Sequence, residues 1–262
     1  MTDVMKALSL TGKVAVVTGG AGLYGRQIVQ AIAEAGATTY IAARGMEALE
    51  QVAIEERARG YDVQALPLDL ASEASIEALH REIVGRSGRC DVLVNNAVTR
   101  NPQAVWGGGM DAYGESLRIN ASALFKITHL FGETMREHKS GSIINIGSMM
   151  GSVGVEAANY EGTDMHANPS PIYFYEKGGM LNFTRWAASI LGADNVRVNC
   201  VSPGGFESGQ PARFINAYSD RTQLGRMANE TDLKGVIVFL ASDASEYITG
   251  ANIPVDGGYT AK

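Results

Sequence analysis

An α/β domain with a doubly wound, seven-stranded parallel sheet and helices on both faces is the fold class that this 262-residue sequence predicts. Three observations predict it. Short β-branched apolar runs alternate with amphipathic stretches along the whole chain. The first run passes directly into a glycine-rich turn and then a helical pattern. The composition, 45% hydrophobic and 19% charged, suits one folded domain with a sizeable core.

In chain order, strands are predicted over 14–17, 39–42, 63–66, 92–94, 142–146, 197–201 and 252–255, and helices over 26–35, 46–59, 72–86, 113–138, 172–191 and 231–241. No repeat, linker or second domain is visible, so residues 1–262 read as one unit. Two segments, 151–171 and 204–226, interrupt the alternation. Both follow strands, at the edge where such sheets bind ligands, and are expected to be loops or short helices that close over a substrate.

Val14-Ala15-Val16-Val17 reads as a buried parallel strand. Thr18-Gly19-Gly20-Ala21-Gly22-Leu23-Tyr24-Gly25 follows, then a helix. In that context the glycines let the backbone approach a dinucleotide pyrophosphate, whose charge sits at the helix N-terminus. An ordinary glycine-rich turn is the alternative. At the end of the second strand an acid would bind the adenosine ribose of NAD, but Ala43 and Arg44 stand there. A guanidinium suits a 2′-phosphate, so NADP is favoured as cofactor, with NAD possible. The fourth strand ends in Asn95-Asn96-Ala97, whose amides can hold the strand end beside a ribose.

Asn120 falls inside the helical pattern 113–138, where asparagine is mildly unfavourable. A local kink, a bound water or plain solvent exposure would explain it. Ser148 follows the fifth strand, and Pro203-Gly204-Gly205 ends the sixth with room for a flat ring. Tyr173 and Lys177, four residues apart, share one helix face, and Tyr175 faces elsewhere. A free tyrosine has a pKa of about 10. A lysine cation beside it moves that value toward neutrality, which fits Tyr173 for proton transfer.

The net charge of −6 without a basic run argues against nucleic acid or an anionic membrane as partner. No apolar stretch is long enough to cross a bilayer, and residues 1–11 lack the order of a signal peptide. Cys90 and Cys200 form no C-x-x-C pair and read as buried thiols in a reducing compartment, so a cytoplasmic location is expected. His80, His129 and His138 are scattered, and no metal site is expected.

Taken together, these motifs resemble the short-chain dehydrogenase/reductase family over nearly the whole chain. The glycine turn, N-N-A strand end, helix Asn, strand-end Ser, Y-x-x-x-K and P-G turn occur in the family's order. Tyr247-Ile248-Thr249-Gly250 and Val255-Asp256-Gly257-Gly258 match its C-terminal stretch. The resemblance implies a single Rossmann-type domain and a tetrad of Asn120, Ser148, Tyr173 and Lys177. In it Tyr173 exchanges a proton with the substrate oxygen and Ser148 hydrogen-bonds that oxygen. Lys177 binds the nicotinamide ribose, and Asn120 holds a water linking Lys177 to solvent. It further implies cofactor contacts at Thr18, Gly19, Gly22, Leu23, Tyr24, Gly25, Arg44, Asp69, Leu70, Asn96, Ala97, Pro203, Gly204, Phe206 and Ser208, with Asp69 at the adenine amine. The expected chemistry is interconversion of a secondary alcohol and a ketone.

Two departures stand out. Leu23 occupies the place of the compact branch's middle glycine, while the spacing of Gly19, Gly22 and Gly25 resembles the extended branch of epimerases and dehydratases. An epimerase or dehydratase is therefore an alternative, as is a non-catalytic cofactor sensor. Ser148 and Tyr173 lie 25 residues apart, about twice the usual gap, which places an insertion beside the substrate. Asn159-Tyr160-Glu161-Gly162-Thr163 with Lys177-Gly178-Gly179 resembles the branch near flagellin-sugar modification and gluconate-type dehydrogenases.

Expected substrate contacts are Ser148, Arg100, Tyr160, His166, Gly205 and Arg213, with Asn101, Asn159, Glu161, Glu207 and Gln210 nearby. So polar a set suits a sugar, sugar acid or polyol. Trp106 and Gly107-Gly108-Gly109 indicate a flexible loop after the fourth strand. Small residues Gly178, Gly179, Ala187 and Ala188 beside Phe183 and Trp186 predict a helix face shared between copies, as a homodimer or homotetramer.

Overall fold

Alternate side chains of the first strand point to opposite faces, and both sets are apolar. In β1 (Val14–Thr18), Val14 and Val16 enter one hydrophobic cluster, and Ala15 and Val17 the other. A strand buried on both faces needs helices above and below. A computed structural model, which describes residues 3–165 and 170–261, shows that arrangement. The other strands are β2 (Thr38–Ala43), β3 (Val63–Pro67), β4 (Val92–Asn95), β5 (Gly141–Ile146), β6 (Val196–Pro203) and β7 (Asn252–Val255). All pair in parallel, in the order β3-β2-β1-β4-β5-β6-β7.

The helices are α1 (Val4–Ala7), α2 (Leu23–Glu34), α3 (Met46–Ala58), α4 (Glu73–Ser87), α5 (Met110–Leu117), α6 (Ala123–Glu137), α7 (Pro171–Leu191), α8 (Ala212–Ser219) and α9 (Lys234–Ala241). Helices α2, α3 and α9 cover one face through Ile28, Ile32, Leu49, Val52, Ile237 and Leu240. Helices α4, α6 and α7 cover the other through Ile76, Ile83, Ile127, Phe131, Ala187 and Leu191. The strand order reverses between β1 and β4, so their C-terminal ends open a crevice. Cys90 and Cys200 are buried, free thiols, and no helix among the described residues is long and apolar enough to cross a membrane.

Three local features differ from expectation. The predicted helix 113–138 divides into α5 and α6, joined by a π-helical turn at Arg118–Ser122. That wider turn carries Asn120, whose amide is spent on Thr99 and Glu176 (below). Strand β6 runs on to Pro203 because its last residues pair with β7, Pro203 against Val255. The segment 204–226 contains α8, which packs against the segment after β5. Met149, Phe214, Tyr218 and Met227 form a third small cluster there, with Met150, Tyr160, Met165 and Tyr259 against it. Together these two segments roof the C-terminal edge of the sheet.

Candidate active site

The crevice is shaped first by backbone contacts. Gly19 has φ +70°, and a Cβ on it would stand 2.9 Å from the Ala97 Cα. A Cβ on Gly25 would lie 2.1 Å from the Gly19 carbonyl oxygen, so the start of α2 closes onto the turn only with glycine there. Gly22 is under no such constraint, its nearest contact being 3.5 Å. The glycines that the protein's own packing demands are thus 19 and 25, while Gly22 is not required by it. Thr18 lies beneath the crevice and stitches it together. Its Oγ1 accepts from the Asn96 and Ala97 N–H groups at 3.0 Å each, and Asn96 Nδ2 donates to the Thr18 and Gly19 carbonyls.

Gly22 caps α2 without a side-chain hydrogen bond, leaving the first-turn N–H groups open to an anion. Leu23 follows, 57% exposed, on the crevice wall. Tyr24 donates from its hydroxyl to the Gly204 carbonyl at 2.8 Å and meets Phe206 edge-on, tying the glycine turn to the loop after β6. Arg44, Asp69, Leu70, Asn96, Ala97, Pro203, Gly204, Phe206 and Ser208 line the same cleft, of about 870 Å³. Narrow glycine passages, an open helix start and a long groove fit a dinucleotide.

Ser148, Tyr173 and Lys177 meet at the far end of this cleft. Ser148 is held at the start of the turn Met149–Gly151, its Oγ accepting from the Met150 N–H at 3.2 Å. Lys177, 5% exposed, donates from Nζ to the Ile146 carbonyl at 2.7 Å and lies 5.7 Å from the Tyr173 ring centre. Burial draws the Lys177 pKa down by stripping water from the ammonium, while Tyr173 pulls the other way. For Tyr173, burial favours the neutral phenol. The Lys177 cation, the Ser148 hydroxyl and Arg100 outweigh it, and the pKa lies below the usual phenol value. Tyr175 is 70% exposed, on the other side of the helix.

Arg100 reaches over Tyr173 from the loop after β4, its Cζ 5.0 Å from the ring centre. Tyr160 and Gly205 also line the cleft. Arg213 does not: its Nε donates to the Glu161 carbonyl, so it holds the turn near residue 161 instead of facing substrate. His166 lies outside the described residues. Asn120 does not line the cleft. Its Oδ1 accepts from the Thr99 N–H at 2.9 Å, and its Nδ2 donates to the Thr99 carbonyl and to Glu176, each at 2.9 Å. Both ends of that amide are thus spent on the protein's own groups, and it ties α7 and the loop after β4 to the π-helical turn. Of the polar neighbours expected around the substrate, only Gln210 lines the cleft; Asn101, Asn159, Glu161 and Glu207 do not. Among the described residues no cluster of metal-ligating side chains occurs.

Several lining residues were not expected from sequence. Met149, Met150, Met165, Phe214, Tyr218 and Met227 make the substrate end far more apolar than predicted. Methionines in irregular segments carry no periodic signal, although Met149 and Met150 directly follow Ser148. Glu176 is 7% exposed, its Oε1 accepting from the Ser116 hydroxyl at 2.7 Å. Burial raises its pKa, against the opposing pull of Ser116, Asn120 and Lys177.

A family model described as enoyl-(acyl carrier protein) reductase matches residues 22–260. The chain belongs to the short-chain dehydrogenase/reductase family. Its relatives include the FabG 3-oxoacyl-[acyl-carrier-protein] reductase of Aquifex aeolicus, 34% identical over 96% of this chain and 98% of that protein. The rhamnolipid-biosynthesis 3-oxoacyl-[acyl-carrier-protein] reductase of Pseudomonas aeruginosa is 32% identical, over 96% and 97%. Among solved structures, a gluconate 5-dehydrogenase from Burkholderia cenocepacia, in complex with NADP and tartrate, superposes with a TM-score of 0.86. It is 26% identical, with 99% of this chain and all of that one covered. Like its family, this short-chain dehydrogenase/reductase is an NAD(P)-dependent oxidoreductase acting on small molecules.

Proposed function

We propose that this enzyme interconverts a secondary alcohol and a ketone, with NADP, on a small substrate that carries a carboxylate or similar anion, a sugar acid being one such compound. Arg100 carries the reading. Besides Lys177 it is a second cation beside the Tyr173 ring on the cleft wall, and no carboxylate pairs with it among the described residues. A guanidinium next to the proton-transferring phenol, open to the cleft, favours an anion close to the reacting oxygen. The Met and aromatic walls beyond it favour a compact carbon skeleton over a free polyol.

In this reading Tyr173 gives a proton to the ketone oxygen, or takes one from the alcohol. Ser148 hydrogen-bonds that oxygen. Lys177 holds the phenol in its acidic range and reaches the cofactor ribose, while Arg100 takes the anion. The first turn of α2 would hold the pyrophosphate and Arg44 the 2′-phosphate. The nicotinamide group supplies or accepts the hydride when bound.

Nicotinamide fluorescence on titration with NADPH and NADH tests the cofactor, and a panel of hydroxy acids and matching neutral polyols tests the substrate. NADPH should bind about tenfold or more tightly than NADH, as one charge-assisted hydrogen bond allows, and Arg44→Ala should erase the difference. Acids should be turned over in preference to polyols, and Arg100→Ala should raise KM for them about tenfold with NADPH binding kept. A preference for NADH overturns the role of Arg44. Equal use of neutral polyols overturns the role of Arg100.

A homodimer or homotetramer is also proposed, joined through α6 and α7. Phe125 lies 4.7 Å from Phe183, which stacks on Trp186, and Trp186 is 59% exposed. Ile190 extends the same apolar face. Light scattering at micromolar concentration should give at least the dimer mass, and a monomer would rule the face out. Free, buried Cys90 and Cys200 accord with a reducing compartment such as the cytoplasm.

A further inference from the structure

Glu176 sits between Tyr173 and Lys177 in sequence, and its carboxylate enters the junction of α5, the π-helical turn and α7. It has no cationic partner there. Its carboxylate accepts from the Ser116 hydroxyl at 2.7 Å and from Asn120 Nδ2 at 2.9 Å. Asn120 in turn clamps the backbone of Thr99 at both its N–H and its carbonyl. Thr99 immediately precedes Arg100, whose guanidinium returns to the Tyr173 ring on α7. The path therefore leaves α7 at Glu176 and comes back to α7 one turn earlier.

We propose that Glu176 is a positioning residue that, through Asn120 and Thr99, holds Arg100 over Tyr173. The loop after β4 contains Pro102 and the run Gly107-Gly108-Gly109, and has no strand pairing of its own among the described residues. On the N-terminal side of Arg100 its attachment is the Asn120 clamp, and on the other side Asn101 Nδ2 donates to Glu115 at 2.9 Å. A carboxylate at this place costs desolvation, which the two hydrogen bonds and the Lys177 cation offset. The inference rests on the reading of Arg100 and Tyr173 given above.

The sign of one titration separates this role from a simple charge effect. The charged or titratable groups facing Tyr173 are Lys177 on its own helix, Arg100 from the loop after β4 and Tyr24 from the glycine turn. If Glu176 acted on Tyr173 by charge alone, removing it would remove an anion and make the phenol more acidic. If it acts by placing Arg100, removing it withdraws a cation and makes the phenol less acidic.

The experiment reads phenolate absorbance against pH in the ligand-free protein, taking the difference between each variant and the same variant carrying Tyr173→Phe. Arg100→Ala should move the Tyr173 transition alkaline by about one unit, the lower end of the effect of a charge at this range. Glu176→Ala should move it in the same direction, and adding it to Arg100→Ala should move it no further. Glu176→Gln, able to accept from Asn120 and donate to the Ser116 oxygen, should restore the parent value. Glu176→Leu fills the buried space without an acceptor and carries the same expectation if the alanine variant does not fold. An acidic shift in Glu176→Ala, no shift, or a shift that adds to that of Arg100→Ala overturns the positioning role alone. No shift in Arg100→Ala overturns the Arg100 reading and the inference with it.

Discussion

Replacing Tyr173 by phenylalanine should lower kcat by about a thousandfold, within the span that a positioned general acid or base contributes, while NADPH binding stays within a few-fold. The substitution removes one hydroxyl from a ring already fixed by α7 and leaves Lys177 bonded to the Ile146 carbonyl. The pH dependence follows from the direction of the Tyr173 shift. Its pKa lies below the free value because Lys177, Ser148 and Arg100 outweigh burial. Alcohol oxidation needs the phenolate, so its rate should rise with pH through that value and level off below the usual phenol range. Ketone reduction needs the phenol and should fall through the same value. Lys177→Met removes the strongest of the acidifying influences, so both limbs should move alkaline. A Tyr173→Phe enzyme with parental kcat would show that the proton comes from another group.

Gly25→Ala should weaken dinucleotide binding about ten- to a hundredfold and lower Tm by several degrees, whereas Gly22→Ala should do neither. The contrast is steric. The new methyl at 25 would stand 2.1 Å from one backbone oxygen and 3.0 Å from the Gly20 carbonyl carbon, and neither can yield without moving α2 off the sheet. Overpacking of this kind costs about 1–3 kcal/mol, which gives the stated range. At 22 the methyl would meet only an ordinary contact, with an extended, negative-φ backbone. Isothermal titration with NADPH and a thermal melt of both variants decide the matter. Equal damage at 22 would mean that the pyrophosphate passes over that residue and would revive the epimerase-type spacing.

Much of the crevice was legible because its chemistry constrains residue type locally. A turn that must pass a backbone carbonyl under a helix demands glycine, and Gly19 and Gly25 announce it. The four-residue step from Tyr173 to Lys177 is helix geometry and needs no tertiary knowledge. Strand ends were legible to within one to two residues, since the last pairs depend on a neighbour, as Pro203 depends on Val255. The π-helical turn was not, because the helical pattern runs unbroken through 113–138 and the partners that Asn120 meets there lie far off in sequence. Arg213 read as a substrate contact because an arginine in a loop looks alike whether it meets a ligand or the Glu161 carbonyl. Glu176 went unread for the opposite reason: charged helix residues ordinarily face water, and its burial depends on Ser116 and Asn120, more than fifty positions away.

The roof over the substrate end shares no residue with either of the two clusters that hold the sheet together. Its walls are largely methionine and aromatic side chains on segments that add no strand. Methionine adapts its shape at little cost. Reshaping Met149, Met165, Phe214 or Met227 should thus change what the enzyme accepts while leaving the two sheet clusters intact. A combinatorial library confined to those four positions is the natural place to redirect substrate preference.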